Sequence, residues 1–369
     1  MKKGSITQFF VKGITSPFCL GCCLVLTLQV NAQDSVSTNA GQNSDVGQFV
    51  DAGNFFLERP DASKYAVVLT GPSVGEETIN RFRQWSYSLH DILIRDYGYS
   101  SDSISLLLDH GPDGSPDSNR VDGACDRETI EDQLALLKEK VRDGDQIIIY
   151  LIGHGSARDG ESKFNIVGPD ITGEDFALML DRFSEQDIVI VNTTSSSYGF
   201  SASLSSEGRV LISSTRSPSE KYDPIFSRYF IEALDQKNGD RDKNNRVSML
   251  EAFNYARQSV DQWYEDQGRL ASEHASLDDN GDALFTIDPT PSDADGRLAE
   301  IAYIDILTAD DGNLSPQALA LKGKMQEIER SVFILRGRKA DYLEADYWAQ
   351  MEVLLIDLAR TTGQFNDSI

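Results

Sequence analysis

Cysteine is scarce in this sequence and badly placed for its usual purposes. Of the four, Cys19, Cys22 and Cys23 fall within the first two dozen positions, and only Cys125 lies beyond them. Once its start is trimmed, the chain keeps one thiol, which excludes an intrachain disulfide and a cysteine-built metal site. Positive charge is short as well. With 34 Lys and Arg against 59 Asp and Glu, the formal charge is −25, which excludes nucleic acid and anionic membrane as natural partners. Long apolar runs are missing. The run from Phe18 to Val30 has an uninterrupted core of about a dozen residues, where a membrane-spanning helix needs roughly 20. Histidine is limited to His90, His110, His154 and His274, so candidates for a catalytic base are few.

What is present is enough for a sizeable core, since 40% of the 369 residues are apolar and 9% aromatic. The start has Lys2-Lys3, then the short apolar run, then Val30-Asn31-Ala32. That layout predicts a cleaved signal peptide over residues 1–32 and an exported, periplasmic or secreted protein with no membrane attachment after cleavage. A lipid anchor on Cys22 fits less well, because Cys19-Leu20-Gly21 lacks the expected residue order and the apolar run continues past it. Loss of Lys2, Lys3 and Lys12 would take the charge to −28. Residues 33–60, rich in Ser, Asn, Gln, Gly and Asp, read as a flexible spacer.

Residues 61–288 alternate short apolar runs with helical spacing, the pattern of an α/β domain with a mostly parallel sheet flanked by helices. Strands are predicted at Tyr65–Thr70, Ile104–Leu108, Gln146–Ile152, Ile188–Asn192 and Arg209–Ser213. Helical spacing links Phe82, Trp85, Leu89, Ile92 and Leu93, and again Ile130, Leu134, Leu137 and Val141. Further helices are expected at Phe226–Leu234 and Met249–Tyr264. Residues 289–297 read as a linker and 298–369 as a helical region. There, Leu321, Met325, Ile328, Val332 and Leu335, and then Tyr347, Met351, Leu354 and Leu358, predict a hairpin or short coiled coil. It either packs on its own domain or joins copies into a homo-oligomer.

Chemistry in an open α/β sheet collects at the carboxyl ends of the strands. One strand delivers Gly153-His154-Gly155, where glycines let a substrate backbone approach and leave N–H groups for an oxyanion. The next runs from Ile188 into Asn192-Thr193-Thr194-Ser195-Ser196-Ser197, and a third ends at Thr215-Arg216 with Glu220 shortly after. With these strands in order, residues 65–264 resemble the legumain-type cysteine peptidases of the caspase-like clan. The resemblance implies a caspase-like fold in which His154 is the base and the nucleophile stands at the end of the next strand. In that family the position holds cysteine; here it falls on Thr194, with Ser195 beside it. An alcohol is far less acidic than a thiol and needs an aligned base, itself oriented by a carboxylate. No such third residue is visible in the sequence, so the expectation is a pseudopeptidase that binds a peptide or protein through the old cleft. The alternatives are a hydrolase using Thr194 or Ser195 with His154 and the Gly155 N–H, and a scaffold for oligomerising C-terminal helices. Arg81, Arg83 and Arg216 are candidates for the specificity pocket.

Other residues are set aside. Cys125 reads as an incidental cysteine near a helix start, His110 as part of a surface turn, and His90 and His274 have no partner pattern. A separate segment, residues 240–251, has EF-hand spacing. Asp240, Asp242, Asn244, the Arg246 carbonyl, Ser248 and Glu251 occupy positions 1, 3, 5, 7, 9 and 12 and are expected to hold calcium. Asn245 replaces the usual glycine at position 6. Asp278, Asn280 and Asp282 repeat the start of that ladder without its final acid.

Overall fold

The computed structural model describes residues 54–59, 61–307 and 311–369. The expected signal peptide, residues 1–32, and most of the expected spacer, residues 33–60, lie outside them.

The strands are β1 (Lys64–Thr70), β2 (Ile104–Leu108), β3 (Gln146–Ile152), β4 (Gly155–Arg158), β5 (Glu161–Phe164), β6 (Ile171–Thr172), β7 (Asp187–Asn192), β8 (Arg209–Ser213) and β9 (Ser276–Asp278). The helices are α1 (Glu76–Tyr97), α2 (Arg127–Lys140), α3 (Gly173–Leu180), α4 (Ser197–Ala202), α5 (Phe226–Leu234), α6 (Met249–Asp266), α7 (Arg297–Ile301), α8 (Pro316–Gly337) and α9 (Glu344–Asn366).

Successive strand residues point to opposite faces, and here both faces are apolar. Ala66 and Val68 of β1, Ile148 and Tyr150 of β3, and Val189 and Val191 of β7 pack against Phe82 and Leu89 of α1, Phe226 and Phe230 of α5 and Phe253 of α6. Their neighbours Val67, Leu69, Ile147, Ile149, Ile188 and Ile190 pack against Ile130 and Leu134 of α2, Phe176 of α3 and Phe200 of α4. Near-continuous apolar strands covered on both sides are what a parallel sheet requires.

The main sheet has the order β2-β1-β3-β7-β8-β9, with β9 alone antiparallel to its neighbour. This is a mostly parallel sheet flanked by helices. The five strands read from the sequence are its five parallel strands, β1 and β7 each one residue longer than expected. The antiparallel sheet β4-β5-β6, the short β9 and the helices α3 and α4 are additions. They are short and mixed in polarity, so no period stands out in them.

In register, Thr70 lies opposite Ile152, and Leu151 opposite Asn192. The carboxyl ends of β1, β3 and β7 therefore share one edge of the sheet.

The stretch read as a linker is tied down. Asp295 is buried and accepts from Thr286 Oγ1 at 2.7 Å and from the Asp279 N–H at 3.2 Å. After it, Leu298, Ala299, Ala302 and Ile304 join the first core. The paired helices begin only at Pro316, where Ser315 caps α8. Val332 and Leu335 of α8 close on Tyr347 and Met351 of α9, while Phe333 reaches into the main core. Lower down, Arg246 stacks on Tyr303 with 3.8 Å to the ring centre and pairs with Glu58 and Asp305. Burial pushes the Asp305 carboxyl up, but Arg246 and Lys64 beside it outweigh this and hold it down at about 2.

Candidate functional site

Two strand ends are pressed together by glycine. A Cβ on Gly71, just past β1, would meet the Asn165 carbonyl oxygen at 2.1 Å. Gly153, just past β3, takes φ 137°, a conformation L side chains rarely adopt. The Gly71 N–H donates to the Ile152 carbonyl at 2.9 Å, which extends the ladder one step beyond the sheet. The loop Gly71-Pro72-Ser73-Val74-Gly75 then leads into α1, and its Ser73 lands beside His154.

His154 is half-buried, its ring edge-on to Phe82 at 5.2 Å between centroids. Both nitrogens are engaged. Nδ1 lies 2.8 Å from Asp223 Oδ1 and Nε2 lies 2.8 Å from Ser73 Oγ. An ionised carboxylate can only accept, so the neutral ring carries its proton on Nδ1 and leaves Nε2 to accept from the Ser73 hydroxyl. The hydrogen bond to His154 holds the Asp223 carboxyl below its ordinary range, against some burial, and Arg81 at 3.5 Å acts in the same direction. Asp223 sits on the loop between β8 and α5. That loop is anchored by the buried Glu273, whose carboxylate accepts from the N–H groups of Ile225 and Phe226 at 2.9 and 3.1 Å.

The residues expected as nucleophiles lie at the end of β7, but their hydroxyls face elsewhere. Thr194 is 1% exposed, and its Oγ1 donates to Asn192 Oδ1 at 2.8 Å. Ser195 Oγ is clamped by Gly155, accepting from its N–H and donating to its carbonyl, each at 3.1 Å. The Gly155 N–H, expected in an oxyanion hole, is thus spent on Ser195. Ser196 takes φ 52° to turn the chain into α4, held by its N–H to the Glu220 carbonyl at 2.8 Å.

Cys125 is fully buried, and burial pushes its thiol well above the ordinary range. His110 is exposed, while His90 is largely buried and contacts Asp91. His274 does have a partner, Glu220 Oε1 at 2.6 Å from Nδ1. Of the candidate pocket arginines, Arg81 pairs with Asp223, Arg83 with Asp113 and Arg216 with Glu220.

Sequence reasoning missed Ser73 and Asp223. A signal for Ser73 existed: turn residues directly after an apolar parallel strand, at the sheet edge where chemistry collects. Asp223 had none, since nothing local distinguishes it from the other acids.

In the 240–251 loop, Asp240, Asp242 and Glu251 bring carboxylate oxygens within 4.8 Å of one another. Asn245 adopts φ 66°, the left-handed turn required at position 6. The Arg246 side chain turns away from the loop to Asp305. Ser248 and Glu251 form a capping box at the start of α6. Burial, then the nearby Glu251 and Asp240 charges, push the Asp242 carboxyl up to about 6.

No protein-family model and no curated protein matches this chain. Among solved structures, it is similar to a Geobacter sulfurreducens protein at 9% identity and TM-score 0.39, covering 63% of this chain and 97% of the other. It is also similar to the Drosophila initiator caspase Dronc at 11% identity and TM-score 0.37, covering 70% and 95%. No described helix is long and apolar enough to cross a membrane.

Proposed function

We propose that this is an exported, calcium-binding relative of the legumain-type peptidases that recognises a peptide or protein segment at the shared carboxyl edge of β1, β3 and β7 and performs no cysteine-peptidase chemistry. One observation carries the reading. The hydroxyls where that family keeps its thiol are committed to Asn192 and Gly155, and the one remaining cysteine beyond the leader-like start is sealed in the core. The same commitments weigh against hydrolysis by Thr194 or Ser195. Calcium is supported by the three converging carboxylates and the left-handed Asn245, and export by the leader-like residues 1–32.

The test is fluorescence anisotropy with a labelled peptide bearing a central Asn or Asp, with calcium present. Binding should survive both iodoacetamide treatment and His154→Ala. Peptide cleavage that iodoacetamide abolishes would refute the reading.

A second reading, self-association through the C-terminal hairpin, is favoured by the exposure of Trp348, Val353, Leu355 and Ile356 on α9. Light scattering on the full chain should show an oligomer that Val353→Glu disperses. A monomer throughout would remove this reading.

A further inference from the structure

The geometry points to a serine-type acyl-transfer site at this edge, with Ser73 as nucleophile, His154 as general base and Asp223 as the carboxylate that orients the base. The inference rests on the peptide-cleft reading above but gives the cleft a chemistry that reading does not contain.

Three conditions define such a site, and each is met. The nucleophile must reach the base, and Ser73 Oγ is 2.8 Å from His154 Nε2. The base must present its unprotonated nitrogen to the hydroxyl, and Asp223 at 2.8 Å from Nδ1 fixes that tautomer. The groups must be open to an incoming acyl compound, and Ser73, His154 and Asp223 are all partly exposed, the last two with 28% and 34% of their side chains accessible. By contrast, Thr194 and Ser195 are buried and paired elsewhere.

The three residues come from three separate connections: the β1–α1 loop, the end of β3 and the β8–α5 loop. Each is held by its own device, namely Gly71 pressed on Asn165, Gly153 at positive φ, and Glu273 gripping the start of α5. α1 begins at Glu76, three residues after Ser73, and its first turn has no side-chain cap, so its N–H groups are the main-chain donors nearest in sequence for a developing oxyanion.

The reaction balances without any further reagent. The Ser73 oxygen bonds to the carbonyl carbon of an ester or peptide while its proton passes to His154 Nε2. Asp223 stabilises the resulting imidazolium. The bond to the leaving alcohol or amine then breaks, and His154 returns the proton to it. Water completes the cycle: His154 takes one of its protons, the hydroxide adds to the acyl carbon, and Ser73 leaves with the proton.

The experiment is intact-mass and peptide-mapping analysis of the full chain after incubation with a fluorophosphonate. That probe forms an oxygen–phosphorus bond and expels fluoride, with the serine proton taken by the base. The expected result is one adduct at Ser73, absent in Ser73→Ala and in His154→Ala. Ser73→Cys gives a second measurement that does not depend on alanine being tolerated. Its new thiol, beside an imidazole, should be alkylated by iodoacetamide at least tenfold faster in the His154 protein than in its His154→Ala counterpart. An adduct at Thr194 or Ser195, or no adduct in protein that still binds the Asn or Asp peptide, would overturn the inference. The latter outcome would leave the peptide-cleft reading standing, whereas a protein that takes the Ser73 adduct but shows no peptide binding before labelling would remove that reading alone.

Discussion

Asp223 and His154, contributed by the β8–α5 loop and the end of β3, meet at 2.8 Å through a carboxylate oxygen and Nδ1. The pair sets which ring nitrogen faces Ser73. Replacing Asp223 with Asn lets the ring adopt the other tautomer, with a proton on Nε2 and no acceptor for the Ser73 hydroxyl. The expected outcome for Asp223→Asn is a drop in the fluorophosphonate labelling rate on the order of a thousandfold or more. The urea midpoint should barely move, because partly exposed pairs contribute about 0–1 kcal/mol. Unchanged labelling kinetics would show that the carboxylate does not orient the ring.

The packing of the β1 end against the chain that follows β5 can be tested at Gly71. A Cβ there would stand 2.1 Å from the Asn165 oxygen, and that neighbour is backbone rather than a flexible side-chain tip. Gly71→Ala should cost about 1–3 kcal/mol by overpacking and should also weaken labelling of Ser73 by displacing its loop. Denaturant unfolding reads the first effect and mass spectrometry the second. A fully stable Gly71→Ala protein would contradict the packing described.

Arg246 links the 240–251 loop to the core. Its guanidinium faces Glu58 and Asp305 and lies over Tyr303. Arg246→Met keeps much of the stem but leaves two inward carboxylates without their partner, an expected loss of about 3–5 kcal/mol. Chemical unfolding should show the midpoint falling accordingly, and a loss under about 1 kcal/mol would mean water rescues the acids.

Buried acids other than Asp223 make stability depend on pH. Burial pushes Glu273 up to about 7, Asp279 to about 6 and Asp295 to about 7. A carboxyl whose folded pKa is raised keeps its proton in the native state at pH values where the unfolded chain has released it. Its stabilising effect is therefore full below the unfolded pKa and is lost as pH rises through the folded value. Asp305 works the other way, but its window lies between about 2 and the ordinary carboxylate range, outside the interval in question. The urea midpoint should fall between pH 5 and pH 8, and Glu273→Gln should flatten that slope. A midpoint that rises across the interval would show that these acids are ionised and well solvated.

Calcium should act on the same scale. The Asp242 carboxyl is pushed up by burial and by its acidic neighbours, a cost that a bound divalent cation would relieve. Millimolar calcium is expected to raise Tm by several degrees in the unaltered chain and by much less in Asp242→Asn. Scanning calorimetry distinguishes the two, and an equal rise in both would place any calcium elsewhere.

The sheet was legible in the sequence because a parallel strand covered on both faces must be apolar at nearly every position. Stretches such as Ile147-Ile148-Ile149-Tyr150-Leu151-Ile152 permit little else. The same logic exposed α1, α2, α5 and α6 through their spacing, and His154 through its place at a strand end. The β4-β5-β6 sheet and β9 escaped because two- to four-residue strands show no period.

The sequence by itself therefore determined the order of layers, the strand that carries His154, and the absence of a thiol at the end of β7, since all three depend on residue type along one stretch of chain. Which hydroxyl faces the imidazole is a matter of tertiary structure. Thr194 and Ser195 are the neighbours in strand order, yet local hydrogen bonds turn their oxygens to Asn192 and Gly155. Ser73 and Asp223 reach the ring only because the sheet sets β1 beside β3 and Glu273 fixes the start of α5. Contacts between residues so far apart in the chain leave no local pattern, because they arise from loop ends brought together by packing rather than from any periodicity of the loops themselves.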